Sequence, residues 1–252
     1  MYLEVEHLRK KFESEEVLRG VGLSLARNRT LSILGRSGSG KTTLLKIMAG
    51  LLAPDGGQIR LANMDERAIS EPPNAGRLMP ALDESFDGVI LLGHHARAGT
   101  PEAFLDHTVS SAAWFEYRLN DQVLGEIGIE AAWAGHYGVP VIAVSGDEAT
   151  AREARADLGE VECAVVKWAV GRNRARCLPP ARAHREIRDA IAQAMGSMDR
   201  FQPFRPSLPA TIQLTLYRSD MADDHCRHGG IERVDGRTIR RQIDSLMDVV
   251  RW

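Results

Sequence analysis

Gly35-Arg36-Ser37-Gly38-Ser39-Gly40-Lys41-Thr42 fits G-x-x-x-x-G-K-[ST] at every fixed position, and that pattern admits little besides a strand, an anion-cradling loop and a helix. Thr30-Leu31-Ser32-Ile33-Leu34 before it reads as a short buried strand, and Leu44, Leu45, Ile47 and Met48 after it give a helical apolar face. Gly38 and Gly40 let the backbone wind close to an anion, and the free N–H groups of the loop and helix start favour negative charge. Lys41 would reach terminal phosphates and Thr42 a Mg²⁺ ion, with Gly35, Ser37 and Thr43 completing the cradle.

Around this loop the chain reads as short strands. Leu3, Val5 and Leu8 open the first, Val17 to Val21 continue the pattern, Pro54-Asp55-Gly56-Gly57 turns, and Gln58 to Leu61 follow. Regularity lapses between about Ala62 and Met79, where Pro72-Pro73-Asn74 and Gly76 break any element. Beyond it, strands at Gly88–Leu92, Gly138–Val144 and Cys163–Val166 alternate with helices at Asp147–Leu158 and Pro180–Met195. Repeated strand-then-helix order predicts a largely parallel sheet. Ile212, Leu214 and Leu216 alternate, Asp235-Gly236 marks a hairpin, and Leu246, Val249 and Val250 suggest a terminal helix. The C-terminal segment is therefore β-rich.

Composition excludes several classes. Lys and Arg number 32 against 34 Asp and Glu, a net charge of −2 that gives no footprint for nucleic acid. No apolar run approaches the ~18–20 residues of a membrane helix. The three cysteines, Cys163, Cys177 and Cys226, form no disulfide framework and fit a reducing cytoplasm. Cys163 and Cys177 read as buried small residues, Trp114, Trp133 and Trp168 as core or interface aromatics, and the 149–159 stretch as a solvated helix face.

His95 falls just past the Gly88–Leu92 strand, where α/β sheets place ligand residues. His107 lies in a loop, and Glu126 begins a helical stretch. Imidazole and carboxylate are the usual ligands of a hydrolytic zinc, and a free histidine can act as base or nucleophile. The same residue types also occur as ordinary surface or core groups. His225-Cys226-x-His228, beside Asp223 and Asp224, is placed in a loop and lacks a second ligand pair at zinc-finger spacing.

Leu3 to Leu8, Val17 to Val21, Leu31 to Gly35 and Leu51 to Gly57 together resemble the opening of ATP-binding-cassette (ABC) ATPases, and that resemblance ends near residue 62. It implies ATP and Mg²⁺ at the phosphate loop and makes Phe12 the aromatic that stacks on adenine. No glutamine loop, Leu-Ser-Gly-Gly-Gln signature or switch histidine follows, so nucleotide binding is expected without efficient hydrolysis. Val141 to Glu148 imitates an apolar strand ending in Asp-Glu, but Ser145-Gly146 is expected to break it.

Leu82 to Gly88, Gly93-His94-His95-Ala96-Arg97-Ala98-Gly99-Thr100-Pro101, Asp106-His107-Thr108, Gly125-Glu126-Ile127-Gly128 and Ala134 to Pro140 resemble the zinc-dependent D-aminopeptidases of dipeptide-transport operons. Val144 to Asp147, Arg174 to Leu178 and Glu232 to Thr238 extend that likeness to the end of the chain. It implies His95 and Glu126 as metal ligands, His107 as the catalytic histidine, short peptides with N-terminal D-residues as substrates, and a homo-oligomeric ring. The family opens with a strand ending in Asp-x-Glu and later supplies another histidine, all three metal ligands. Here the ABC-like piece stands in that place, and His94 occupies a usually aromatic position.

The expected architecture is thus α/β: an incomplete P-loop nucleotide-binding fragment over 1–64, then a mostly parallel hydrolase-type domain over 65–252 lacking its N-terminal portion. A fusion joined between about Ala62 and Ile69 explains both halves. The expected function is a cytoplasmic D-aminopeptidase-like zinc peptidase whose activity is absent or much reduced because part of the metal site is missing. The alternatives are an ATP-binding module and a non-catalytic oligomeric fusion.

Overall fold

A computed structural model describes residues 3–12, 15–26, 31–33, 39–48, 52–61, 78–79 and 81–252. The chain divides into two compact units, 1–81 and 82–252. The boundary expected at 64/65 lies outside the described residues.

In the first unit, β1 (Leu3–Phe12) pairs antiparallel with both β2 (Glu15–Leu25) and β3 (Gly56–Leu61), giving the order β2-β1-β3. Helix α1 (Lys41–Met48) brings Leu44 and Ile47 onto Val5, Leu8 and Leu18 to form its small core. Gly57 has φ +88°, and a Cβ there would stand 2.5 Å from the carbonyl oxygens of Glu6 and His7, so the turn requires glycine. The strand expected at Thr30–Leu34 is not borne out where it can be seen. Leu31, Ser32 and Ile33 carry no strand pairing, Leu31 is 45% exposed, and Thr30 and Leu34 lie outside the described residues. A buried parallel strand needs parallel neighbours; among its described residues this unit has only the antiparallel sheet.

The second unit runs β4 (Val89–Leu91), β5 (Trp114–Leu119), β6 (Gln122–Leu124), α2 (Glu126–His136), β7 (Val141–Asp147) and α3 (Glu148–Leu158). It continues with β8 (Glu162–Gly171), β9 (Arg174–Cys177), α4 (Pro180–Met195), β10 (Ala210–Leu216), α5 (Ser219–His225), β11 (Glu232–Arg233) and β12 (Thr238–Ile243). One sheet has the order β4-β7-β8-β9, parallel across its first three strands and closed by an antiparallel β8–β9 hairpin. All seven residues of β7 are buried, and α3 and α4 both pack on it. That two-sided burial is why Val141-Ile142-Ala143-Val144 is a continuous apolar run. The second sheet, β11-β12-β10-β5-β6, is antiparallel throughout, and β10 alternates buried and half-buried residues along its length. The β-rich C-terminal segment therefore pairs with a hairpin from the middle of the chain.

Several local readings change. Ser145-Gly146 does not break β7, which runs through both to Asp147. The 149–159 helix is not solvated all round, because Ala149, Thr150, Ala151, Glu153 and Ala154 are buried. Cys177 is exposed rather than buried, at the end of the edge strand β9, while Cys163 is half-buried. Asp223, Asp224 and His225 lie on the short helix α5 rather than in a loop. The terminal helix is a single 3₁₀ turn, Leu246–Asp248. Among the described residues no helix is long and apolar enough to cross a membrane.

Candidate metal centre

The parallel sheet delivers the site from the C-terminal end of its edge strand. Beyond β4, the Gly93 N–H donates to Ser145 Oγ (2.9 Å) and the His94 N–H to Ser145 O (2.8 Å), which stitches the strand's exit to β7. Gly146 makes this possible: a Cβ there would stand 2.6 Å from His94 O. The chain then presents His95, loops out, and returns so that the His107 N–H donates to Ala96 O at 3.3 Å. Glu126 opens α2, where the helix start favours a carboxylate, and its Oε1 accepts the Val109 N–H at 2.7 Å.

The three residues converge. His95 Nε2 is 3.4 Å and His107 Nε2 3.5 Å from Glu126 Oε1, and the two imidazoles stack with centroids 3.8 Å apart. Their donor atoms all lie within 4.8 Å of one another. Among the described residues, this is the one group of three His, Cys, Asp or Glu side chains so arranged; His225, Cys226 and His228 do not form another.

Hydrogen bonding fixes which nitrogen of each ring faces the cluster. His95 Nδ1 sits 3.2 Å from Ala96 O and His107 Nδ1 2.8 Å from Leu105 O. A carbonyl only accepts, so in the neutral imidazole each Nδ1 carries the proton and each Nε2 the lone pair. Burial pulls the His95 pKa below its ordinary value, against the pull of Glu126. Each imidazole Nε2 thus faces the Glu126 carboxylate at 3.4–3.5 Å, longer than a normal hydrogen bond. Tetrahedral zinc with bonds of about 2.0–2.1 Å sets its donors about 3.3–3.4 Å apart. The donor types and the two imidazole–carboxylate spacings fit such an ion.

Two neighbouring arrangements escape sequence reasoning. His94 Nε2 lies 2.8 Å from Glu130 Oε2, and the His94 ring stacks beside His95 with centroids 5.5 Å apart. Burial opposes protonation of His94, but the Glu130 hydrogen bond and charge outweigh it and hold the pKa above its ordinary value. Glu126 and Glu130 share a helix face at i and i+4, a spacing visible in the sequence. The second arrangement is Arg97 with Glu153 and Asp157. Glu153 Oε2 accepts the Arg97 N–H at 2.8 Å, while the guanidinium stands 3.6 Å from Glu153 and 3.8 Å from Asp157, as electrostatic contacts only.

Burial pushes the Glu153 carboxyl up to about 7, against the Arg97 N–H and charge that pull it down. Folded protein therefore keeps this proton over a range in which the unfolded chain, at the ordinary value of 4.5, has released it. The stabilisation is complete below about 4.5 and is lost as pH rises through about 7. Glu153→Gln keeps an oxygen for the Arg97 N–H and removes the buried ionisation. It should be about 1–3 kcal/mol more stable than the parent at pH 8, with the gap closing by pH 4.5. Urea unfolding at both pH values measures this.

Of the phosphate-loop residues, Gly35, Ser37 and Gly38 lie outside the described residues. Gly40 (φ +85°) precedes α1, Lys41 opens that helix with Nζ 3.2 Å from Ser39 Oγ, and Thr42 and Thr43 occupy its first turn. Phe12 ends β1, 46% exposed, with Lys10 Nζ 5.6 Å from its ring centre. Asp147 caps α3 by accepting the Thr150 N–H (2.8 Å) and also takes the Phe104 N–H (2.6 Å), so it is already engaged structurally.

Comparison with known proteins agrees with this two-part reading. The D-aminopeptidase family model (peptidase M55) matches residues 57–252, and the ABC transporter model matches 18–95. The chain belongs to the D-aminopeptidase family, and its N-terminal part carries an ABC transporter segment. The D-aminopeptidase of Bacillus subtilis is 37% identical over 129 residues, covering 51% of this chain and 46% of that protein. The sulfate/thiosulfate import ATP-binding protein CysA of Xanthomonas campestris is 46% identical over 70 residues, 28% of this chain and 20% of its own length. The chain thus spans about half, or less, of these curated relatives. Among solved structures, the Zn-dependent D-aminopeptidase DppA from Bacillus subtilis, described as a self-compartmentalizing protease, superposes with a TM-score of 0.68 at 29% identity. That match covers 72% of this chain and 66% of the other.

Proposed function

We propose that this chain is a zinc-dependent aminopeptidase acting on short peptides with N-terminal D-residues, working below the rate of a full-length family member. The observation that carries the reading is the convergence of His95 Nε2, His107 Nε2 and Glu126 Oε1 at the C-terminal end of a parallel strand. His95 and Glu126 would hold the ion, which when bound supplies Lewis acidity to polarise the scissile carbonyl. His107, with its proton fixed on Nδ1 by Leu105 O, offers the Nε2 lone pair as base and takes a proton there from the attacking water. It can return that proton to the leaving amine. A catalytic zinc normally has three protein ligands. The ABC-like segment stands where the resemblance places the family's first ligand strand, which supports a weakened site and a fusion origin.

The test is release of D-alanine from D-Ala-D-Ala by purified full-length chain with added Zn²⁺, beside His107→Ala. Activity is expected in the parent and at least about 10²-fold less in the variant. Equal rates in the two would remove His107 from the mechanism.

A second reading is supported by the ABC match over 18–95 and by α1 opening at Lys41. The first unit then binds nucleotide phosphates with Mg²⁺ without turning them over, since no glutamine loop, Leu-Ser-Gly-Gly-Gln signature or switch histidine follows the phosphate loop.

A further inference from the structure

The loop that carries His107 is held from outside by a residue of the β8–β9 turn. Arg172 Nε pairs with Asp106 Oδ1 at 2.9 Å, its Nη2 donates to Asp106 O at 2.8 Å, and its own carbonyl accepts the Leu105 N–H at 2.7 Å. Both residues immediately before His107 are therefore fixed by one residue 66 positions beyond Asp106. Asp106 is engaged on its other side too, where Oδ2 accepts the Gly99 N–H at 2.7 Å.

The loop needs such a hold. Glu102, Leu105 and Val109 have φ of 55°, 56° and 55°, three non-glycine residues in the left-handed region. Each is sterically unfavourable and persists only where the surroundings over-determine it. Leu105 is one of the three, and its carbonyl accepts from His107 Nδ1 at 2.8 Å. A change in the Leu105 peptide therefore turns the imidazole.

We infer that Arg172 is a positioning residue for His107: by clamping Leu105 and Asp106 it fixes the Leu105 carbonyl that keeps the His107 proton on Nδ1 and aims Nε2 at Glu126. The inference rests on the reading of His107 as the site's base, but the clamp itself can be tested without turnover. Arg172 is half exposed and reaches the site only through the loop. Sequence gives no hint of it, because the partners are remote along the chain.

The experiment compares parent, Arg172→Ala, Arg172→Lys and Asp106→Asn in the full chain at one fixed pH. The last variant keeps an oxygen for the Gly99 N–H and removes only the charge facing Arg172, so it serves if Arg172→Ala fails to fold. Long-range ¹H–¹⁵N spectra of the imidazoles, recorded without metal, read the tautomer of each histidine. In the parent, His107 should be protonated at Nδ1. Arg172→Ala and Asp106→Asn should shift it to a mixture of tautomers while His95 keeps its own, and Arg172→Lys should restore it in part. With Zn²⁺ and D-Ala-D-Ala, kcat should fall about 10- to 100-fold with little change in KM, the scale of losing a supporting interaction around a site. An unchanged His107 tautomer in both Arg172→Ala and Asp106→Asn would overturn the inference. A parent without hydrolysis would count against the proposed function, while the tautomer measurement would still decide the clamp.

Discussion

Glu126→Gln is expected to weaken zinc binding by about 10³-fold, roughly 4 kcal/mol, because it removes the one negative charge in the cluster and leaves His95 as the remaining proposed ligand. Glutamine is nearly isosteric and retains an oxygen for the Val109 N–H, so the loop stays docked and lost affinity is not lost fold. Glu130, one turn further along α2, pairs with His94 outside the three-donor group, and Glu130→Gln should change affinity by no more than about tenfold. Competition with a chromogenic chelator separates the two variants. Similar losses in both would mean that general negative potential, rather than Glu126 as a ligand, attracts the ion.

The largest expected effect on stability is at Trp133. It is fully buried on α2, and its indole N–H has no hydrogen-bond partner. Trp133→Ala removes the most bulk from that environment and should cost about 3–5 kcal/mol. Trp133→Phe also loses volume, but it removes an unpaired buried donor at the same time. Its cost should be about 1–2 kcal/mol, and denaturant titration of both variants measures the difference. Because α2 starts with Glu126 and buries eight of its residues, Trp133→Ala should also loosen zinc binding, whereas Trp133→Phe should not.

What the sequence made legible follows from how local each signal is. Helix α4 begins at Pro180 and ends at Met195 as its periodicity predicts, and Asp147 caps α3. The alternation of Ile212, Leu214 and Leu216 places all three in the core. The Asp235-Gly236 hairpin forms, but the tighter β5–β6 hairpin is not signalled in the same way. Its two loop residues, Asn120 and Asp121, adopt φ of 47° and 57°, the left-handed pair that a two-residue turn needs, without glycine. That hairpin recruits Trp114–Leu124 into the antiparallel sheet and out of the expected strand–helix alternation.

The site was legible mainly through resemblance. His95, His107 and Glu126 are separated by 12 and 19 positions, spacings with no local meaning, and only the fold brings them together. The supporting contacts are more remote still. Arg97 meets Glu153 across 56 positions and Asp106 meets Arg172 across 66, so charge patterning along α3 read as a solvated face although Glu153 turns inward. At the phosphate loop the reverse holds, since the motif is explicit in sequence but only its helix-opening residues are described.

The central claim is that this member of the D-aminopeptidase family holds a metal with residues of its own second unit. The most direct measurement is an anomalous difference map at the zinc edge from crystals of zinc-loaded full-length chain. The predicted result is one peak at about 2.0–2.2 Å from His95 Nε2 and Glu126 Oε1, with His107 adjacent. No peak between these residues, or zinc held instead by His225, Cys226 and His228, would contradict the account.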